Sequence, residues 1–171
     1  MFNVPLHSFY MMVFITLLLI SASLIRLLLK AKNPQGEHTE LKQRIQSWWW
    51  MIGILFAMLL APTNVAIIFF ALLSFLALKE FFSIVPTRQA DRRILLWAYI
   101  AIPFQYFWVA EDWYGMFMIF IPIYVFLFLP MRAVFIGETK GFIRSLGTIH
   151  WGVMLSVLCI SHIAYLLKLP V

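Results

Sequence analysis

The sequence predicts an all-α, polytopic integral membrane protein with about six transmembrane helices. Hydrophobic residues make up 64% of the chain and charged residues only 12%, whereas soluble domains usually carry about 25% charge. The mean hydropathy is +0.94. The few charges fall in short clusters, and the apolar stretches between them are long enough to cross a bilayer.

We predict a single transmembrane domain over residues 1–171, with six spans. A helix of about 20 residues crosses a hydrocarbon core of roughly 30 Å. The second and fourth predicted spans are shorter than this, so they are marginal and could be tilted or partly buried among neighbours. Pro103 and Pro122 fall inside spans and should kink them. The predicted spans are residues 8–29, 48–61, 64–85, 94–110, 114–130 and 145–167.

Connections that contain Lys and Arg alternate along the chain with connections that contain neither. The turns at Pro62 and at Glu111-Asp112 carry none, while the first, third and fifth connections are basic. Short loops rich in Lys and Arg stay in the cytoplasm, so the N-terminus and the two bare turns are predicted outside. The net charge of +6 then lies on the cytosolic face, beside anionic lipid head groups.

The N-terminal apolar segment is predicted to be an anchor. A secretory signal has a basic n-region and an apolar core of roughly 7–15 residues, but residues 1–7 contain no Lys or Arg. Farther along, Leu41, Ile45 and Trp48/Trp49 recur at helical spacing. They predict a short amphipathic helix on the inner leaflet, with a solvated linker as the alternative.

The Lys79-Glu80 pair is the sharpest polar signal inside a span. Lys79 is long enough to reach the head groups, but Glu80 is shorter, so we expect its carboxylate to point into the helix bundle. An acid within the membrane is a functional hypothesis by default. The alternative is a structural contact with a cation such as Arg88 or Arg44, the latter being the favoured partner.

Two basic clusters, one around Arg92 and one around Arg132, could clamp phosphate through paired hydrogen bonds. The alternative is that they only set topology and attract anionic lipid. The segment 137–141 has glycines and a lysine but lacks the spacing of a phosphate-binding loop.

The sequence predicts no metal site. His150 and His162 are twelve residues apart on one helix and face different directions, so each is interpreted as a polar contact between helices. Cys159 is a lone cysteine, and the acidic residues show no metal-ligand spacing. The stripe Thr148, Gly152 and Ser156 is suited to close helix packing. No catalytic centre can be assembled from these residues, and no nucleic-acid partner is predicted.

Two segments together resemble a known enzyme family. Arg44-Ile45-Gln46-Ser47, entering a Trp-rich span, resembles the Arg-x-x-Ser opening of phosphatidate cytidylyltransferases (CDP-diacylglycerol synthases). Residues 77–81 (Ala-Leu-Lys-Glu-Phe) resemble that family's Ala-x-x-Glu-aromatic helix end. The resemblance runs from Leu41 to the end of the chain and implies an all-helical enzyme of the bacterial inner membrane. Its implied reaction is CTP plus phosphatidate giving CDP-diacylglycerol and pyrophosphate.

The family's strongest signature, a Ser-x-Ser-Pro-x-Lys-x-x-Glu stretch and a late Asp-rich segment that would hold magnesium, is missing from these residues. We therefore expect an N-terminal transmembrane portion, from a truncation or a split gene, that is inactive alone. Its partners would be membrane lipids such as phosphatidate, a second copy, or a missing C-terminal half, with CTP bound only by the complete enzyme.

The resemblance points to Arg44 and Glu80 as residues that shape a lipid-phosphate cavity without performing the chemistry. An alternative function is a non-enzymatic accessory or lipid-binding scaffold, and a transporter ranks third because no inverted repeat is evident. The candidates for the lipid-phosphate cavity are Arg44, Lys79, Glu80, Arg88, Arg92, Arg93, Arg132, Lys140 and Arg144.

Overall fold

The computed structural model describes residues 6–32, 39–85, 92–137 and 141–168. These residues form helices joined by short turns, with no strand among them, which confirms the predicted all-α class. The chain divides into two compact units, one within Met1–Pro62 and one within Thr63–Pro170. The single domain over residues 1–171 stays a prediction.

In the first unit the structure describes a pair of helices, α1 (Leu6–Lys32) and α2 (Thr39–Leu59). Trp49 Nε1 donates a hydrogen bond to Ser23 Oγ at 3.2 Å, and Ile45, one turn before Trp49, is buried. The Ser23 hydroxyl also donates to the Leu19 carbonyl oxygen of its own helix at 2.8 Å. Such back-bonding satisfies a hydroxyl inside an otherwise apolar helix.

Helix α2 differs from the prediction in two respects. The predicted amphipathic helix and the second predicted span are one continuous helix, Thr39–Leu59, because no proline interrupts residues 41–59 and the single glycine there, Gly53, is tolerated in a helix. Five helices among the described residues are long and apolar enough to cross a membrane, and α2 is not one of them. The five stretches are Met12–Leu29, Thr63–Ile84, Arg92–Ala110, Tyr114–Phe135 and Phe142–Leu166.

The described residues of the second unit form four helices that run up and down. Helices α3 (Thr63–Ile84) and α4 (Arg92–Ala110) are regular. Helix α5 comprises Tyr114–Ile119, a π-helical stretch Phe120–Val125 and Phe126–Ile136. Helix α6 comprises Phe142–Val153, a π-helical stretch Met154–Leu158 and Cys159–Leu166.

Ring contacts fix the antiparallel order of these helices. The ring centroids of Trp97 and Phe128 are 5.0 Å apart, and those of Phe104 and Phe120, farther along α4 and earlier along α5, are 6.2 Å apart. The Tyr114 and Tyr165 rings, 5.4 Å apart, join the start of α5 to the end of α6. Each helix therefore begins at the end of the unit where its predecessor stops.

Helix α6 approaches α3 closely at Gly152. A Cβ built on Gly152 would lie 2.8 Å from the ring of Phe81, a distance that real Cβ atoms essentially never show. Gly152 and Ser156 are buried and Thr148 is half-buried. This confirms the predicted packing role of the small-residue stripe, since small residues let helix backbones approach in a membrane.

Buried polar side chains add hydrogen bonds between the helices. The hydroxyls of Ser74 on α3 and Tyr106 on α4 are 2.8 Å apart, and Tyr106 also donates to the Phe70 carbonyl oxygen at 2.8 Å. Gln105 Nε2 donates to the Phe117 carbonyl oxygen at 3.1 Å and to Ser161 Oγ at 3.3 Å. Hydrogen bonds between membrane helices are each worth about 0.6 to 1.7 kcal/mol, so this network aligns α4 with three neighbours.

Helix α5 continues to Ile136, beyond Pro130, where the sequence predicts the end of the fifth span. Proline has no N–H, so the Phe126 carbonyl, four residues earlier, loses its usual helical donor. His150 on α6 faces that carbonyl, with Nε2 3.1 Å from the Phe126 carbonyl oxygen and Nδ1 2.8 Å from the Leu146 carbonyl oxygen of its own helix. The tautomer protonated at Nε2 supplies the donor that Pro130 lacks. The interpretation of His150 as a polar contact between helices is thereby confirmed.

Candidate functional site

The described charged residues of the second unit lie at its two ends, and most of the cations lie at one of them. The end of α3, the start of α4, the end of α5 and the start of α6 meet at one end of the up-and-down unit, here called the basic end. Its described charges are five cations and one acid, Lys79, Glu80, Arg92, Arg93, Arg132 and Arg144. The structure thus brings together six of the nine predicted candidates.

The remaining candidates lie elsewhere. Arg88 and Lys140 are outside the described residues. Arg44 belongs to α2 in the first unit and is exposed. The pairing of Arg44 with Glu80 therefore stays a prediction.

The Lys79-Glu80 pair lies in the last two turns of α3, where Glu80 is exposed and Lys79 is close to the helix end. Exposure of Glu80 corrects the expectation that its carboxylate is enclosed within the bundle. The buried face of α3 at this level is formed by Leu78 and Phe82, and helical geometry turns residue 80 away from both.

Arg132 is the most constrained cation of the basic end. Its guanidinium carbon lies 5.6 Å from the ring centroid of Trp97 on α4, which is a cation–π geometry. Its Nε is buried and has no hydrogen-bond partner among the described residues. An unpaired buried N–H costs about 1–3 kcal/mol, so this guanidinium is well placed for an anionic oxygen.

One arginine lines a cavity, and a second lies against a residue that lines another cavity. Arg144 lines a cavity of about 500 Å³ together with Gly137, Gly141 and Phe142. Trp97, which Arg132 covers, lines a separate cavity of about 300 Å³ between α4 and α5. The predicted cluster around Arg132 is therefore distributed over two openings.

At the opposite end of the unit, Asp112 and Lys168 form an ion pair. Asp112 adopts a positive φ of 58° at the end of α4, where Asp replaces the usual glycine. Its carboxylate accepts a bond from Lys168 Nζ at 2.8 Å. The same ammonium donates to the carbonyl oxygens of Val109 at 3.1 Å and Ala110 at 2.7 Å, and so caps the last turn of α4.

The magnesium implied by the family resemblance does not fit the described residues. Mg²⁺ is bound mainly by carboxylate oxygens, and the described part of the chain contains no group of three or more His, Cys, Asp or Glu that could hold a metal. Glu80 lies at the basic end, whereas Glu111 and Asp112 lie at the other. No step of a reaction is therefore assigned to a metal in these residues.

Sequence reasoning missed two features of the basic end, the stacking of Arg132 on Trp97 and the cavity beside it. A signal was present, because Phe120, Tyr124, Phe128 and Arg132 follow one another every four residues and such positions share a helix face. The partner stripe on α4 could be matched to it only once the helix pairing was known.

Comparison with known proteins identifies a family. The model of the cytidylyltransferase family matches residues 42–170. The uncharacterized protein YnbB of Escherichia coli (strain K12) is 36% identical over 154 residues, which are 90% of this chain and 50% of that protein. The chain thus spans about half the length of this curated relative. No solved structure matches.

Proposed function

Because the chain belongs to the cytidylyltransferase family, we propose that it forms the N-terminal membrane region of a phosphatidate cytidylyltransferase. That enzyme would convert CTP and phosphatidate into CDP-diacylglycerol and pyrophosphate. The observation that carries the proposal is the family match over residues 42–170. The arginines of the basic end support it, since a phosphate-bearing lipid needs cations at the level of its head group.

In this proposal the membrane region holds and orients the lipid. An oxygen of the phosphatidate phosphate attacks the α-phosphorus of CTP, the bond from that phosphorus to the bridging oxygen breaks, and pyrophosphate leaves. Arg44 and Glu80 shape the lipid-phosphate cavity, as the resemblance implies. The described residues bring together no carboxylate cluster, so the chemistry itself is proposed to come from the remainder of the enzyme.

An assay of the 171-residue chain alone tests whether the chemistry requires the remainder of the enzyme. Purified protein in mixed micelles with phosphatidate, CTP and magnesium should show only background formation of CDP-diacylglycerol, with a complete family enzyme as the positive control. Magnesium-dependent product above the background would contradict the proposal, because these residues would then suffice for the chemistry.

A non-enzymatic lipid-binding scaffold is the second candidate. The lack of a metal-binding cluster in the described part of the chain favours it. Combining the chain with the other half of a family enzyme distinguishes the two candidate functions. A scaffold would bind anionic lipid but would restore no turnover.

A further inference from the structure

The cavity between α4 and α5 is a narrow aromatic groove. Its volume is about 300 Å³, which is room for on the order of ten methylene groups if each occupies about the 30 Å³ of a water molecule. Phe104 and Tyr124 are 52% and 51% exposed, so the groove opens sideways on the exposed surface of α4 and α5. Its main lining residues are Trp97, Ala101, Phe104, Phe120, Tyr124 and Phe128.

One end of the groove is marked by arginines. Arg132 lies one turn beyond Phe128 on α5, and its guanidinium carbon is 5.6 Å from the Trp97 ring centroid. Arg93 lies one turn before Trp97 on α4 and is exposed. Residues four apart share a helix face, so the aromatic stripes on both helices end in a cation at the basic end.

Nothing acidic on these two helices neutralises the arginines. Residues 92–110 and 114–136 contain three cations, Arg92, Arg93 and Arg132, and no Asp or Glu. The buried Nε of Arg132 has no hydrogen-bond partner among the described residues. Farther into the groove, α5 makes its π-helical turn at Phe120–Val125, and such turns frequently mark functional sites.

We propose that this groove binds an anionic glycerophospholipid of the surrounding bilayer, with one acyl chain along the aromatic stripe and the phosphodiester at Arg132 and Arg93. A zwitterionic lipid brings its own cation beside the phosphate and so supplies the arginines with no net counter-charge, and a soluble phosphate would leave the apolar groove unfilled. The site does not rest on the proposed function, because the lipid is a resident ligand and not the substrate.

Native mass spectrometry of the detergent-purified full chain tests the proposal. Phosphatidylglycerol and phosphatidylcholine with identical acyl chains are supplied in turn, and the lipid-bound fractions are compared. The wild type should retain phosphatidylglycerol preferentially. Arg132→Gln should weaken that binding about tenfold, since a hydrogen bond to a charged group is lost, and should weaken phosphatidylcholine binding less, because the choline cation already compensates that lipid's phosphate.

Arg144→Gln is the matched control for the head group, because Arg144 lies at the same end but lines the other cavity. Phe107→Ala is the control for Phe104→Ala, since both side chains are half-exposed on α4 but only Phe104 lines the groove. Phe104→Ala should weaken phosphatidylglycerol binding, and Phe107→Ala should not. These two variants also keep the test decisive if Arg132→Gln fails to fold.

Three results would overturn the proposal. Equal losses in Arg132→Gln and Arg144→Gln would mean diffuse attraction of lipid to a basic surface. Equal retention of both lipids by the wild type would mean that the site does not recognise the net charge of the lipid. Binding of phosphatidate at least about tenfold tighter than phosphatidylglycerol, lost in Arg132→Gln, would make the groove part of a substrate site.

Discussion

Gly152 sets how closely α6 can approach α3. Its absent side chain leaves room for the Phe81 ring, which would lie 2.8 Å from a Cβ at this position. We predict that Gly152→Leu destabilises the protein by about 1–3 kcal/mol, the usual cost of overpacking, measured as a lower thermal unfolding midpoint in detergent. Gly147→Leu on the same helix is the control, because nothing lies within 4 Å of its Cβ position. Equal shifts in both variants would contradict the packing role.

His150 and Pro130 form a second pair whose roles depend on each other. The imidazole of His150 contacts the Phe126 carbonyl that Pro130 leaves without a donor. His150→Leu should therefore destabilise the wild type by about 0.6 to 1.7 kcal/mol. The same substitution in a Pro130→Ala background should cost less, because an alanine at that position restores the helical N–H.

A double-mutant cycle measured by thermal unfolding gives this coupling directly. His162→Leu serves as the control, since its Nδ1 contacts a carbonyl of its own helix, that of Leu158, at 2.7 Å. A coupling energy near zero between positions 130 and 150 would show that the two residues act independently.

At the scale of helices, hydropathy and charge predicted most of the fold. The long apolar runs become α1, α3, α4, α5 and α6, since a chain without water must satisfy its backbone within helices. Two boundaries were missed for local reasons. Helix α2 runs through the predicted junction near Trp48, and α5 runs through Pro130 because a residue of another helix satisfies the freed carbonyl.

The candidate site was only partly predictable. The sequence identified Arg92, Arg93, Arg132 and Arg144 as cations of the same side, because an even number of crossings separates their connections. It could not place Arg132 on Trp97, since that contact depends on the register between α4 and α5. The exposure of Glu80 was missed because hydropathy does not show which face of a helix is packed.

For the molecule as a whole, the orientation in the membrane is still a prediction. Single cysteines at positions 32, 92, 111 and 140, introduced after Cys159 is replaced, should divide into two classes with an impermeant thiol reagent on intact cells. Position 111 should be labelled from outside, and positions 32, 92 and 140 should be protected, because Lys- and Arg-rich connections stay in the cytoplasm. Labelling of position 92 from outside would contradict the predicted orientation.

We propose that this chain supplies the lipid-handling membrane region of a phosphatidate cytidylyltransferase. The most direct measurement replaces the corresponding region of an active family enzyme with residues 42–170, the segment that the family model matches. Transfer of radiolabelled CMP from CTP to phosphatidate in membranes is then recorded, with the enzyme lacking this region as the control. We predict lipid-extractable label from the chimera and none from the control. A chimera that is inserted and folded at wild-type levels, yet transfers no label, would contradict the claim.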